Sequence, residues 1–98
     1  MTLLTAADID RGVADLPGWG GDPNDIRCRY TAPDFPTAIA LVDAVAVAAE
    51  EADHHPDIDI RWRDVLFVLS THSAGGVTEQ DLALAGRIDG IARGLGLV

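Results

Sequence analysis

The chain is short of cysteine, of aromatics and of positive charge. It has one cysteine, two tryptophans, two phenylalanines and one tyrosine, and seven basic residues face sixteen acidic ones, for a formal net charge of −9. Each shortage excludes something. A lone Cys28 cannot close an intramolecular disulfide, so the fold does not depend on an oxidising compartment. The deficit of basic residues argues against a nucleic-acid or anionic-membrane partner, because such affinity rests on Lys and Arg. The longest uncharged run of the C-terminal half, Val65 to Thr78, falls well short of the ~20 residues that cross a bilayer. Met1 to Asp10 contains Asp8 and Asp10 but no basic residue, unlike the cationic start of a signal peptide. A cytoplasmic protein is expected.

What is present suits a globular unit. No repeat, low-complexity tract or linker divides the 98 residues, which read as one domain over 1–98. A chain of this size buries about 60–70% of its unfolded surface, and 48% hydrophobic content supplies a core. Enclosed ligand cavities usually need roughly 300–1,000 Å³. A site here is therefore expected to be an open cleft, or one completed by a second subunit.

The hydrophobic period changes along the chain, with turn chemistry at each change. Thr5-Ala-Ala-Asp8 is a capping-box variant, and Ile9, Val13 and Leu16 follow at helical spacing, so a helix is predicted over about 6–15. Pro17-Gly18 ends it, and a short strand is expected from Trp19. Ile26, Cys28, Tyr30 and Ala32 alternate with Arg27, Arg29 and Thr31, the period of a half-buried strand. Asp34-Phe35-Pro36 starts a second helix, whose Ala38, Leu41, Val42, Val45 and Ala49 form one buried stripe. Pro56 stops that helix near His55. Ile58, Ile60 and Trp62 alternate with Asp57, Asp59 and Arg61, and Val65, Phe67, Leu69 and Thr71 alternate with Leu66, Val68, Ser70 and His72. This reads as a β-hairpin turning at Arg63-Asp64. Leu66 and Val68 make the second sheet face apolar, which calls for a covering partner or oligomer. Thr78-Glu-Gln-Asp81 caps a last helix carrying Leu84, Ile88, Ile91 and Leu95 on one stripe. The order α-β-β-α-β-β-α predicts an α+β two-layer sandwich, an antiparallel sheet with helices on one face.

All three histidines lie between positions 54 and 72, in Asp53-His54-His55-Pro56 and Ser70-Thr71-His72-Ser73. His54 and His55 sit at a helix C-terminus, where the dipole favours a cation. Glu50 precedes His54 by one helical turn, so the two are expected to share a face and hydrogen-bond. The hairpin brings its two ends to one edge, where the three imidazoles could converge with Glu50 and Asp81 nearby. Two histidines in different environments can serve as acid and base. Taken singly, each residue also has an ordinary structural role. His54 and His55 could cap a helix, His72 could be a loop residue, Asp81 caps with Thr78, and Trp19 and Trp62 could fill the core. Adjacent histidines followed by a gap from 55 to 72 match no common zinc spacing. Gly75-Gly76 lacks the lysine of a phosphate loop.

Taken together, Glu50-x-x-x-His54-His55-Pro56-Asp57 and Ser70-Thr71-His72-x-x-Gly75-Gly76-Val77-Thr78-x-x-Asp81 resemble the signature of the pterin-4a-carbinolamine dehydratases. Trp19 and Asp34-Phe35-x-x-Ala38 match that family as well, and the resemblance runs from Leu3 to Leu95. It implies a four-stranded antiparallel sheet with three helices on one face, assembled as a homodimer or homotetramer. It implies dehydration of 4a-hydroxytetrahydropterin to quinonoid dihydropterin, with no metal or organic cofactor. By matching position, His54, His55 and His72 would be the catalytic histidines. His55 and His72 would exchange protons while His54, oriented by Glu50, holds the ring or the hydroxyl. Asp81 would tune His72, Trp19 would flank the pterin, and Pro56, Ser70 and Thr71 would line the substrate site. Some members of the family act as partners of a transcription factor, so a binding module of the same fold is the other function that the resemblance implies.

Overall fold

Reciprocal backbone capping starts the first helix. The Thr5 hydroxyl accepts from the Asp8 N–H at 3.1 Å, and the Asp8 carboxylate accepts from the Thr5 N–H at 3.0 Å. In a computed structural model describing residues Met1 to Val98, this α1 runs over Ala6–Gly12. It is shorter than the predicted 6–15, because Val13 ends the helix and the following residues continue only as turns. A two-residue strand β1, Gly20–Gly21, leads into β2, Ile26–Thr31.

Asp34 caps α2, Phe35–Ala52, by accepting from the Thr37 N–H at 2.8 Å, with Pro36 in the first turn, where a missing N–H costs nothing. The helix stops at Asp53, which takes a left-handed conformation at φ 48°. β3, Asp57–Arg61, and β4, Asp64–Leu69, form the expected hairpin. Its turn is Trp62-Arg63, one residue earlier than the predicted Arg63-Asp64, since Arg61 pairs with Asp64. Trp62 supplies the positive φ of 52° that the turn needs. It stays 69% exposed, with the Arg63 guanidinium 4.2 Å from its ring centre, so it is not a core residue. A short 3-10 turn, His72–Ala74, precedes α3, Glu79–Gly94.

The four strands form one antiparallel sheet in the order β1-β2-β4-β3, and the three helices pack on one of its faces. Ile26, Cys28 and Tyr30 of β2 and Val65, Phe67 and Leu69 of β4 point inward, against Ile9, Leu41, Val45, Leu84 and Ile88. Tyr30 and Phe67 meet edge to face with ring centres 6.0 Å apart. The helix layer does not extend over β3. Ile58 and Ile60 share a face with buried Phe67 and Val65 yet remain 37% and 39% exposed. Alternation along β3 therefore does not bring burial at the sheet edge. No helix is long and apolar enough to cross a membrane.

Candidate active site

The left-handed residue that ends α2 decides how the paired histidines face. A helix continued through Asp53 would place His54 one turn above Glu50. Asp53 breaks the spiral instead, and the His54 N–H reaches back to the Ala49 carbonyl at 3.1 Å. His54 then turns into the protein and its Nε2 meets Asp81 Oδ1 at 2.5 Å. His55 takes the outward position, with Nε2 2.5 Å from Glu50 Oε2. The expected Glu50–His54 pair is thus replaced by Glu50–His55, because helical spacing ends before His54. Asp81 serves His54, and no hydrogen bond joins it to His72.

The two pairs live in different surroundings. The His54 side chain is 11% exposed and that of Asp81 fully buried, whereas His55 and Glu50 are 58% and 78% exposed. A buried carboxylate is tolerated when its lone pairs are used. Asp81 Oδ2 accepts from the Thr71 hydroxyl and from the Thr78 N–H, each at 2.8 Å. The Thr78 hydroxyl lies 2.8 Å from that of Thr71 and accepts from the Gln80 N–H at 3.3 Å. Donors therefore run in one direction: the Gln80 amide to Thr78, Thr78 to Thr71, Thr71 to Asp81. With Oδ2 engaged twice, Oδ1 remains as the acceptor for a His54 Nε2–H, and Nδ1 of that ring has no hydrogen-bond partner within the chain. Thr78 was legible in the sequence only as a cap. The box Thr-x-x-Asp was the signal, since its acid is the one that also reaches His54.

The hairpin returns the chain so that Ser70 to Ser73 stand opposite Asp53 to His55. Gly75, at φ 82°, closes the 3-10 turn that carries His72. Gly76 passes Pro23 so closely that a Cβ would lie 2.5 Å from the Pro23 carbonyl oxygen. His54, His55 and His72 line one open cleft of about 400 Å³, together with Ser70 and Thr71. Asp53, Ser73 and Gln80 also line it and were not singled out in the sequence.

Two expected contacts lie elsewhere. Trp19 is 6% exposed, donates its indole N–H to the Tyr30 hydroxyl at 2.8 Å, and does not line the cleft. Pro56 leads into β3 and does not line it either. Ser70 lines the cleft while its hydroxyl donates to the Asn24 carbonyl at 2.9 Å. Thr71 is 4% exposed with its hydroxyl aimed at Asp81, so its visible role is to hold the acid in place. Burial pushes the Tyr30 phenol well above its ordinary value and raises the Cys28 thiol too.

Comparison with known proteins adds a second line of observation. The family model described as pterin 4 alpha carbinolamine dehydratase matches residues 2–91. A Nocardia farcinica protein with the provisional name pterin-4-alpha-carbinolamine dehydratase is 56% identical over 91 residues, 93% of this chain and 96% of its own length. A Roseiflexus castenholzii protein of the same provisional name is 54% identical over 89 residues, 91% of this chain and 96% of its own. Among solved structures, a transcriptional coactivator/pterin dehydratase from Brucella melitensis superposes with a TM-score of 0.88 at 32% identity, covering 93% of this chain and 99% of that one. A pterin dehydratase-like protein, identified as a RuBisCO assembly factor in the alpha-carboxysome, superposes with a TM-score of 0.63 at 27% identity, covering 76% and 86%.

Proposed function

The chain belongs to the pterin 4 alpha carbinolamine dehydratase family, and from that premise we propose that it dehydrates 4a-hydroxytetrahydropterin to the quinonoid dihydropterin. The observation that carries this reading is the cleft itself, where two imidazoles are each backed by their own carboxylate and a third stands alongside.

In the reaction the C4a–O bond breaks, the departing hydroxyl takes a proton and leaves as water, and the adjacent ring nitrogen gives up a proton as the C=N bond forms. One proton is donated and one is taken, so the protein needs an acid and a base on one flat ligand; the summed charge of the two histidines is unchanged, while each ends in the other's protonation state and must exchange a proton before the next turnover. His55 and His72 exchange these protons. The exposure of the His55–Glu50 pair lets that ring re-equilibrate with water between turnovers. His54, with Nε2 held by Asp81, offers Nδ1 to the substrate and keeps a fixed ring plane. Ser70 sits beside these groups on the cleft wall.

A positioned acid–base group contributes typically 10²–10⁴-fold. Stopped-flow dehydration of freshly made 4a-hydroxytetrahydropterin is therefore expected to be fast with the wild type and at least about 10²-fold slower with His55→Ala or His72→Ala. A change under about threefold in both variants overturns the proton-exchange roles of His55 and His72.

The second reading is a binding module. Its support is that the two structural neighbours are described as a coactivator and as an assembly factor. It predicts a wild-type rate no greater than the uncatalysed one in the same stopped-flow measurement.

A further inference from the structure

The sheet face away from the helices is ruled into charged and apolar lanes. Outward residues of three strands line up across the register: Arg27, Val68 and Asp57 in one row, Arg29, Leu66 and Asp59 in the next. Arginines therefore run along β2, aliphatic side chains along β4 and aspartates along β3. Arg27, Arg29, Asp57 and Asp59 are exposed, and Leu66 and Val68 half-buried. Arg29 and Asp57 have no ion-pair partner within the chain, while Arg27 pairs with Asp25 at 2.9 Å and Asp59 with Arg61 at 3.2 Å. A concavity of about 230 Å³ opens over Leu66, walled by Arg29, Asp59, Arg61 and Asp64. It lies toward the Asp64 end of β4, whereas the histidine cleft lies beyond Leu69 at the other end.

Lanes of this width and spacing select among occupants. The aspartate lane and the net charge of −9 disfavour nucleic acid and anionic membrane. An extended peptide adds to a sheet edge through its backbone, and the face of a paired sheet offers no free backbone groups. An α-helix fits. Neighbouring strands lie about 4.7–4.9 Å apart, so the arginine and aspartate lanes are separated by about 9–10 Å, close to the roughly 10–12 Å diameter of a helix with its side chains. Outward residues along a strand recur at about 6.6 Å, and helix positions four apart at about 6.0 Å. Two charged residues one turn apart on a helix therefore keep step with Arg27 and Arg29, or with Asp57 and Asp59.

We propose that this face docks an amphipathic helix of another protein, one whose apolar stripe runs between an acidic flank and a basic flank. Leu66 and Val68 take the stripe, and the concavity over Leu66 takes its bulkiest side chain. Arg27 and Arg29 take the acidic flank, Asp57 and Asp59 the basic one. The third row, Thr31, Asp64 and Arg61, ends the dock: the Thr31 hydroxyl is spent on Asp64 at 2.6 Å and Arg61 on Asp59. One helix over three short strands buries less than the roughly 1,200–2,000 Å² of a stable interface, so the contact is transient. The inference goes beyond both functional readings above, since the dock and the histidine cleft are separate and can be filled together.

Two designed helical peptides of identical composition, each about 18 residues or about five turns long, test this on the unmodified chain. Both carry one leucine stripe. In the first, glutamates fill one flank and lysines the other; in the second, the two alternate on both flanks. An exposed ion pair is worth a factor of roughly 1.4–5, so the four charged positions favour the first peptide at least about fourfold. Fluorescence anisotropy is expected to show that preference. Arg29→Asp or Arg27→Asp is expected to abolish it, because each peptide at its best register then meets three opposite charges and one like charge. Circular dichroism checks the fold of both variants. On adding the first peptide, backbone amide resonances are expected to shift along Arg27–Arg29, Leu66–Val68 and Asp57–Asp59. Four results overturn the proposal: neither peptide binds, as when a second copy of the chain already covers the face; both bind alike; the folded variants keep the wild-type preference; or the shifts fall on the helices instead.

Discussion

Asp81 is a carboxylate without solvent, and its cost is met by the His54 ring, the Thr71 hydroxyl and the Thr78 N–H. Removing the charge while keeping the shape shows what they do. In Asp81→Asn one oxygen becomes an NH₂ that cannot accept from both the His54 ring and the Thr71 and Thr78 donors. The dehydration rate is expected to fall about 10–10²-fold with the fold retained, within the range of acid–base effects, as stopped flow would show. Glu50→Gln, at an exposed pair, is expected to cost less than Asp81→Asn in the same assay. Tyr30 gives the other residue-scale prediction. Its phenol is raised from 10.0 chiefly by burial, so the folded state holds the proton more tightly than the unfolded chain. The stability linked to it is full below about pH 10 and drains away as pH rises toward the folded value. Urea titrations between pH 8 and 11 are expected to show that loss in the wild type and not in Tyr30→Phe. That variant starts about 1–3 kcal/mol lower, because the Trp19 N–H loses its acceptor.

Among the elements, the C-terminus of α2 is where conformation and chemistry conflict. Asp53 holds φ 48°, a region that costs an L-residue roughly 1–2 kcal/mol, and glycine is the usual residue at such an end. Asp53→Gly is expected to raise stability by about 1 kcal/mol in thermal melts. The same break in the helix explains what the sequence concealed. Helix existence, strand alternation and both capping boxes were legible, because Thr5, Asp34 and Thr78 act locally. The pairing of Glu50 with His55 was not. It depends on one left-handed residue, and an aspartate does not announce that conformation as glycine would. The hairpin turn was misplaced for the same reason, with a tryptophan at positive φ. The exposure of Ile58 and Ile60 was hidden because alternation reports which face a residue takes and not whether a helix lies over it.

At the scale of the molecule, the histidines, Glu50 and Asp81 all come from one stretch of chain, Glu50 to Asp81. The N-terminal part supplies the wall behind them, Pro23 against Gly76 and Asn24 against Ser70. This is why the site could be read as a motif while Trp19, matched from outside that stretch, falls in the core. The molecule also links its imidazole to the end of a helix. Helix termini open at lower free energy than cores, and the first turn of α3 supplies the Gln80 and Thr78 amides that end the donor chain. Fraying of that turn would release Thr78, then Thr71 and Asp81, and free the His54 ring to rotate while the sheet is intact. On the proposed function, activity is therefore a thermometer for one helical turn: on slow heating, it is expected to vanish several degrees before the near-ultraviolet signal of the buried Trp19 and Tyr30. Amide exchange at Gln80 should rise in step with the activity lost.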